Sequence, residues 1–164
     1  MAHAQTDTPN IWAAAAAGLV AGLAASLAMD LFQAGIAALS PSDSDAEPAT
    51  QKAADKVSQV VVGHEIPEDR KPIAGQVVHY ALGAGLGVAY AVAAEYRPAV
   101  TAGFGTAFAA VTTALLDETA VPAAGLGDAP WKTSPTTHLY SATSHIVFGT
   151  VTEGVRRLLL GWLK

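Results

Sequence analysis

The sequence predicts an all-α fold: a polytopic membrane protein built as a four-transmembrane-helix bundle, with a polar connector that carries a short amphipathic helix. Three observations predict it. The 164 residues are 51% hydrophobic and only 14% charged, with a mean hydropathy of +0.33, whereas soluble domains carry roughly 25% charged residues. The charges are segregated: none falls within residues 11–28, none within 72–94 apart from His79, and none within 98–116. Small or polar residues also recur at every fourth position of the apolar stretches, which places them on one helical face.

Crossing about 30 Å of hydrocarbon takes about 20 residues at 1.5 Å each, and this sets the elements. The first span is residues 11–39. The ten residues before it contain no Lys or Arg, and the apolar run continues past Asp30, so it reads as a retained helix and not a cleaved signal. The connector, 40–71, holds most of the net charge of −5. Within it, Ala53, Val57, Val60 and Val61 share a helical spacing, predicting an amphipathic helix over 49–62 that lies on the membrane surface or caps the bundle.

The second span is 72–95. A short link at Tyr96, Arg97 and Pro98 predicts an antiparallel hairpin with the third span, 98–120, with Pro98 in its first turn and Pro122 and residues 125–130 ending it. The fourth span, 136–163, is opened by Pro135. It is the least apolar, but its charges fall largely on one face and the rest is rich in Ile, Val, Phe and Leu. Four spans in one domain put both termini on one side; the acidic connector is the better candidate for export, so the termini are expected to be cytoplasmic. Trp12, Tyr80, Tyr90, Tyr96, Trp131 and Trp162 fall near span ends, as interfacial aromatics do.

The ridges are Ala14, Gly18, Gly22, Ser26 and Asp30; Gly75, His79, Gly83, Gly87, Ala91 and Glu95; Gly105, Ala109, Thr113 and Asp117; and Ser141, His145, Gly149, Glu153 and Arg157. Their glycines and alanines provide close helix packing, which lipid does not otherwise drive. Their ionisable members are costly, at about 2.5–3.5 kcal/mol each at the membrane centre on insertion scales, so they face the interior and find partners. Because successive helices alternate in direction, Asp30, His79, Asp117, Glu118 and His145 all fall in the connector-side half of the bundle, and form a predicted polar cluster. Gln33 and His138 lie near it; Glu153 and Arg156 suit an ion pair at the opposite end.

Three readings of the cluster are open: a hydrogen-bonded network that sets helix register, a haem or divalent-metal site using His79 and His145, and a proton or ion pathway, since Asp, Glu and His are the usual relay groups. No cofactor is predicted beyond that haem or metal alternative. The absence of cysteine removes disulfides and thiolate metal sites. No nucleotide-binding loop, nucleophile elbow or HExxH pattern is present, so no enzyme is expected. No basic patch points to nucleic acid. The expected partner is the lipid bilayer, with the small-residue ridges admitting a homo-oligomer or a membrane complex.

Several short segments also carry a family resemblance: His79 to Gly83 with Tyr90, then Glu95 to Pro98, Asp117 and Glu118, Pro122 to Leu126, Pro130 and Trp131, His145 with Gly149, and Glu153 with Arg156 and Arg157. In this order and spacing the chain resembles the YagU-like family of bacterial inner-membrane proteins over roughly residues 70–160, with a looser echo around Gly18 to Gln33. The resemblance implies a four-span inner-membrane protein without an established biochemical activity, in a family some of whose members contribute to acid resistance. It marks His79, Pro122, His145, Glu153 and Arg156 as family positions.

Overall fold

A computed structural model describes residues 10–39 and 47–162; the first part of the connector and the last two residues, and with them the expected end of the fourth span, lie outside the described residues. The described chain is all-helical. Its elements are α1 (Ile11–Leu39), α2 (Ala49–Val61), α3 (Lys71–Tyr96), a 3-10 turn (Pro98–Thr101), α4 (Thr106–Leu115), a π-turn (Leu116–Ala120), α5 (Val121–Ala123), a second 3-10 turn (Pro130–Lys132) and α6 (Pro135–Trp162). α1 and α3 are long and apolar enough to cross a membrane.

α1 is the central element and packs against both α3 and α6. The reason lies in its ridge: Ala14, Gly18, Gly22 and Ser26 are all buried. A Cβ placed on Gly18 would come within 2.7 Å of Ala91 Cβ and 2.8 Å of Val88 Cα, and one on Gly87 within 2.7 Å of Gly22 Cα. These two helices therefore touch backbone to backbone, which only small residues permit. α4 meets α6 in the same way, Gly105 against Gly149. Larger side chains close the remaining space. Tyr90, Phe108 and Phe148 stack in series at 4.5 and 6.2 Å between ring centres, joining α3, α4 and α6.

The third expected span is corrected. Residues 98–105 do not extend the helix, because Gly103, Phe104 and Gly105 take φ values of 63, 55 and 86°. Left-handed backbone cannot continue a right-handed helix. α3 and α4 are thus joined by a turn and a loop rather than a tight hairpin, and α4 takes α6 as its main neighbour. Pro122 does not end the helix either. It sits inside α5, and the terminus comes at Gly125 (φ 64°). There the Leu126 and Gly125 amides donate to the Val121 and Pro122 carbonyls, both at 2.9 Å, in a Schellman cap.

The π-turn before α5 has a physical cause. Pro122 offers no N–H to the Glu118 carbonyl, and its ring crowds that oxygen in a regular helix. Widening the preceding turn relieves both problems.

α2 forms where its spacing predicted. It lies along α3, burying Ala54 and Asp55 and leaving Val57, Val60 and Val61 exposed. A polar latch holds it there. Asp55 accepts a 2.8 Å hydrogen bond from the Ile66 amide and pairs with Lys71 at 3.1 Å, while Lys71 also reaches Glu68 at 2.6 Å and Glu47 at 3.4 Å. The Ile66 N–H, with Lys71 behind it, holds the Asp55 carboxyl below its ordinary value. Lys56 donates to the Ala124 carbonyl, tying α2 to the end of α5.

Candidate functional site

The buried ridges converge on a cavity of about 450 Å³ between α1, α3, the π-turn and α6, roofed by the first turn of α2. Asp30, His79, Asp117 and His145, which the sequence placed at one depth on four helices, all line it, as does Gln33.

Within the cavity the four ionisable groups form two pairs. His79 Nε2 lies 3.3 Å from Asp30 Oδ1 and 3.5 Å from the Ser26 carbonyl, so α3 is tied to α1. Gln76, one turn before His79, donates to the other Asp30 oxygen. His145 Nδ1 lies 3.1 Å from the Ser141 carbonyl and 3.5 Å from Asp117 Oδ2, and the Ser141 hydroxyl donates to the same carboxylate. This ties α6 to the π-turn. In both pairs one ring nitrogen meets its acceptors, and the other has no hydrogen-bond partner among the described residues.

Glu118 separates from this group. It pairs with His138 at 2.6 Å, and His138 Nε2 reaches the Pro130 carbonyl at 3.0 Å. Both line a smaller cavity of about 240 Å³, which shares Ala49, Asp117, Val121 and Ser141 with the larger one. With both ring nitrogens facing acceptors, the geometry around His138 suits the doubly protonated ring. Asp117 and Glu118, neighbours on the π-turn, thus go to two different histidines. Tyr140, two residues after His138 on α6, lines the larger cavity.

At the opposite end, Glu153 is fully buried and accepts hydrogen bonds from Arg156 at 2.8 and 3.1 Å, from Arg157, and from the Tyr90 hydroxyl at 2.9 Å. The expected ion pair is present. Tyr90 corrects the interfacial reading: it is 1% exposed, whereas Trp12, Trp131 and Trp162 are largely exposed. Sequence reasoning also passed over Gln76 and Ser144. The signal for Gln76 was its position three residues before His79 on the same face.

Among the described residues, no group of three or more His, Asp or Glu side chains is placed to hold a metal ion. Each cavity histidine has its own carboxylate. The small-residue ridges, which admitted an external partner, are largely taken up by contacts within the chain.

Among the described residues, fold and site together define an all-helical protein with two membrane-length apolar helices and a cavity lined by histidine–aspartate pairs. A model of a protein family of unknown function, DUF1440, matches residues 52–154, most of the chain, and the chain belongs to that family. This agrees with the YagU-like resemblance. The match includes His79, Asp117, Glu118, His145 and Glu153, while α1 with Asp30 lies outside it. No curated protein and no solved structure matches the chain.

Proposed function

We propose that this chain is a four-span, non-enzymatic protein of the bacterial inner membrane whose cavity handles protons or small ions under acid stress. The carrying observation is that two histidine–carboxylate pairs, drawn from four separate elements, face one cavity. A neutral imidazole beside a carboxylate can take a proton without leaving a net charge unpaired in an apolar bundle.

The four-span reading is supported by where the apolar and polar side chains go. Large apolar residues are exposed on every long element, among them Leu27 at 51%, Val77 at 64%, Val111 at 54% and Ile146 at 44%. The costly residues of α6 are paired instead: His138, His145, Glu153 and Arg156 each have a partner, and Arg157, though exposed, reaches back to the buried Glu153. The helical run from Thr106 through Ala123 spans roughly 27 Å at 1.5 Å per residue, close to the hydrocarbon thickness.

The test is reconstitution of the full chain in liposomes loaded with a pH-sensitive dye. Wild-type protein is expected to carry proton flux above empty vesicles, and His79→Ala and His145→Ala to lower it. Background-level flux in all three would overturn the proposal.

A further inference from the structure

The larger cavity has a one-signed lining. Among the described residues it presents two carboxylates, Asp30 and Asp117, two imidazoles, and no Lys or Arg. The nearby Lys71 is occupied outside it by Asp55, Glu47 and Glu68. With the imidazoles neutral, the cavity therefore favours a cation.

A second, independent feature asks for a hydrogen-bonding occupant. Ser26 and Ser144 line the cavity, both are 0% exposed, and neither hydroxyl has a partner among the described residues. Other helical hydroxyls in the chain, those of Thr112, Thr143, Thr150 and Thr152, return to a carbonyl three or four residues back. These two do not, and an unpartnered buried hydroxyl is unfavourable. Met29, Leu86 and Phe148 supply an apolar wall beside them. The volume of about 450 Å³ falls in the range of small-molecule sites.

Building on the proton-handling reading, we infer that this cavity binds a small primary amine in its ammonium form. The ammonium sits at Asp30 or Asp117 with a serine hydroxyl as a further acceptor, and the alkyl tail lies against Met29, Leu86 and Phe148. Protons oppose the amine. The groups facing it are Asp30 from α1, His79 from α3, Asp117 from the π-turn, and His145 and Tyr140 from α6; α2 contributes only the uncharged Thr50 and Gln51. When His79 and His145 become imidazoliums they neutralise the carboxylates the amine needs. A simple alkylamine stays protonated across this range, so the pH dependence reports the protein.

The experiment is calorimetric titration of the purified full chain in detergent with n-butylamine, beside n-butanol and butyrate of the same tail. Saturable amine binding at pH 8, about tenfold or more weaker at pH 5, is expected, with neither control binding. Asp30→Asn or Asp117→Asn weakens it about tenfold. The milder Ser26→Ala/Ser144→Ala variant weakens it several-fold with helicity intact, and decides the matter if a carboxylate variant does not fold. No saturable amine binding by folded protein, equal binding of butanol, or binding indifferent to pH overturns the inference. Liposome flux on the same preparation separates the two ideas. Histidine-dependent flux without amine binding removes only the amine; amine binding without flux leaves a binding site and removes the proton-handling reading.

Discussion

Tyr90 donates a 2.9 Å hydrogen bond to Glu153 at a place where neither residue meets solvent, their exposures being 1% and 0%. The bond joins α3 to α6 at the end of the bundle away from the cavity. Arg156 engages both oxygens of the same carboxylate, so the charge is matched without the tyrosine. The two partners should therefore differ in weight. Tyr90→Phe is expected to cost about 1.5–3 kcal/mol, the range for a hydrogen bond to a charged group. Glu153→Ala leaves a nearly buried guanidinium unpaired and is expected to cost about 3–5 kcal/mol. Denaturation of both variants in the same detergent checks the order; equal losses would contradict it.

Two glycines two residues apart on α3 make opposite predictions. Gly87 faces the α1 backbone, while nothing lies within 4 Å of where a Gly85 Cβ would be. Gly87→Ala is expected to destabilise by at least about 1–3 kcal/mol, because backbone rather than a flexible side chain must move. Gly85→Ala should raise stability by about 0.5–1 kcal/mol through helix propensity. Thermal midpoints of the pair measure the contrast.

The α2 latch predicts a pH dependence of definite sign. Asp55 is held below its ordinary value by the Ile66 amide and Lys71, so its folded value lies under its unfolded one. Its contribution to docking α2 is complete above the unfolded value of about 3.9 and is lost as pH falls through the lower folded value. A spin label on Val57→Cys, in a chain that has no cysteine of its own, should report an unchanged α2 from pH 8 to 5 and release only below about pH 4. Asp55→Asn should abolish that acid step. Release beginning near pH 6 would point to other groups.

Pro122→Ala restores the missing N–H and lets the π-turn relax toward a regular helix. Asp117 and Glu118 would then rotate away from their separate histidines. The expected result is a several-fold loss of liposome proton flux with helicity retained. Undiminished flux would show that the turn does not place Asp117.

The long helices were legible because their signals are local. Uncharged runs, Pro135 at the start of α6 and the spacing of Val57, Val60 and Val61 each act within a few turns; α2 and α3 begin and end, and α1 and α6 begin, within a residue or so of the expected places. The third span was misread at its start because composition shows apolarity there but not backbone handedness. Gly103, Phe104 and Gly105 break the helix through φ, and the reason, Gly105 lying on the Gly149 backbone, is a contact across more than forty residues.

The candidate site divides along the same line. Spacing four and alternating helix direction were enough, from the sequence by itself, to bring Asp30, His79, Asp117 and His145 to one level, since axial position follows from counting residues at a fixed rise. Which acid meets which histidine was decided only by the tertiary structure. Pairing depends on how far each helix is rotated about its axis, and that rotation is set by glycine contacts between helices and by the widened turn before Pro122. So His79 took Asp30, His145 took Asp117, Glu118 went to His138 in a neighbouring cavity, and Tyr90 turned from a supposed surface anchor into the buried partner of Glu153.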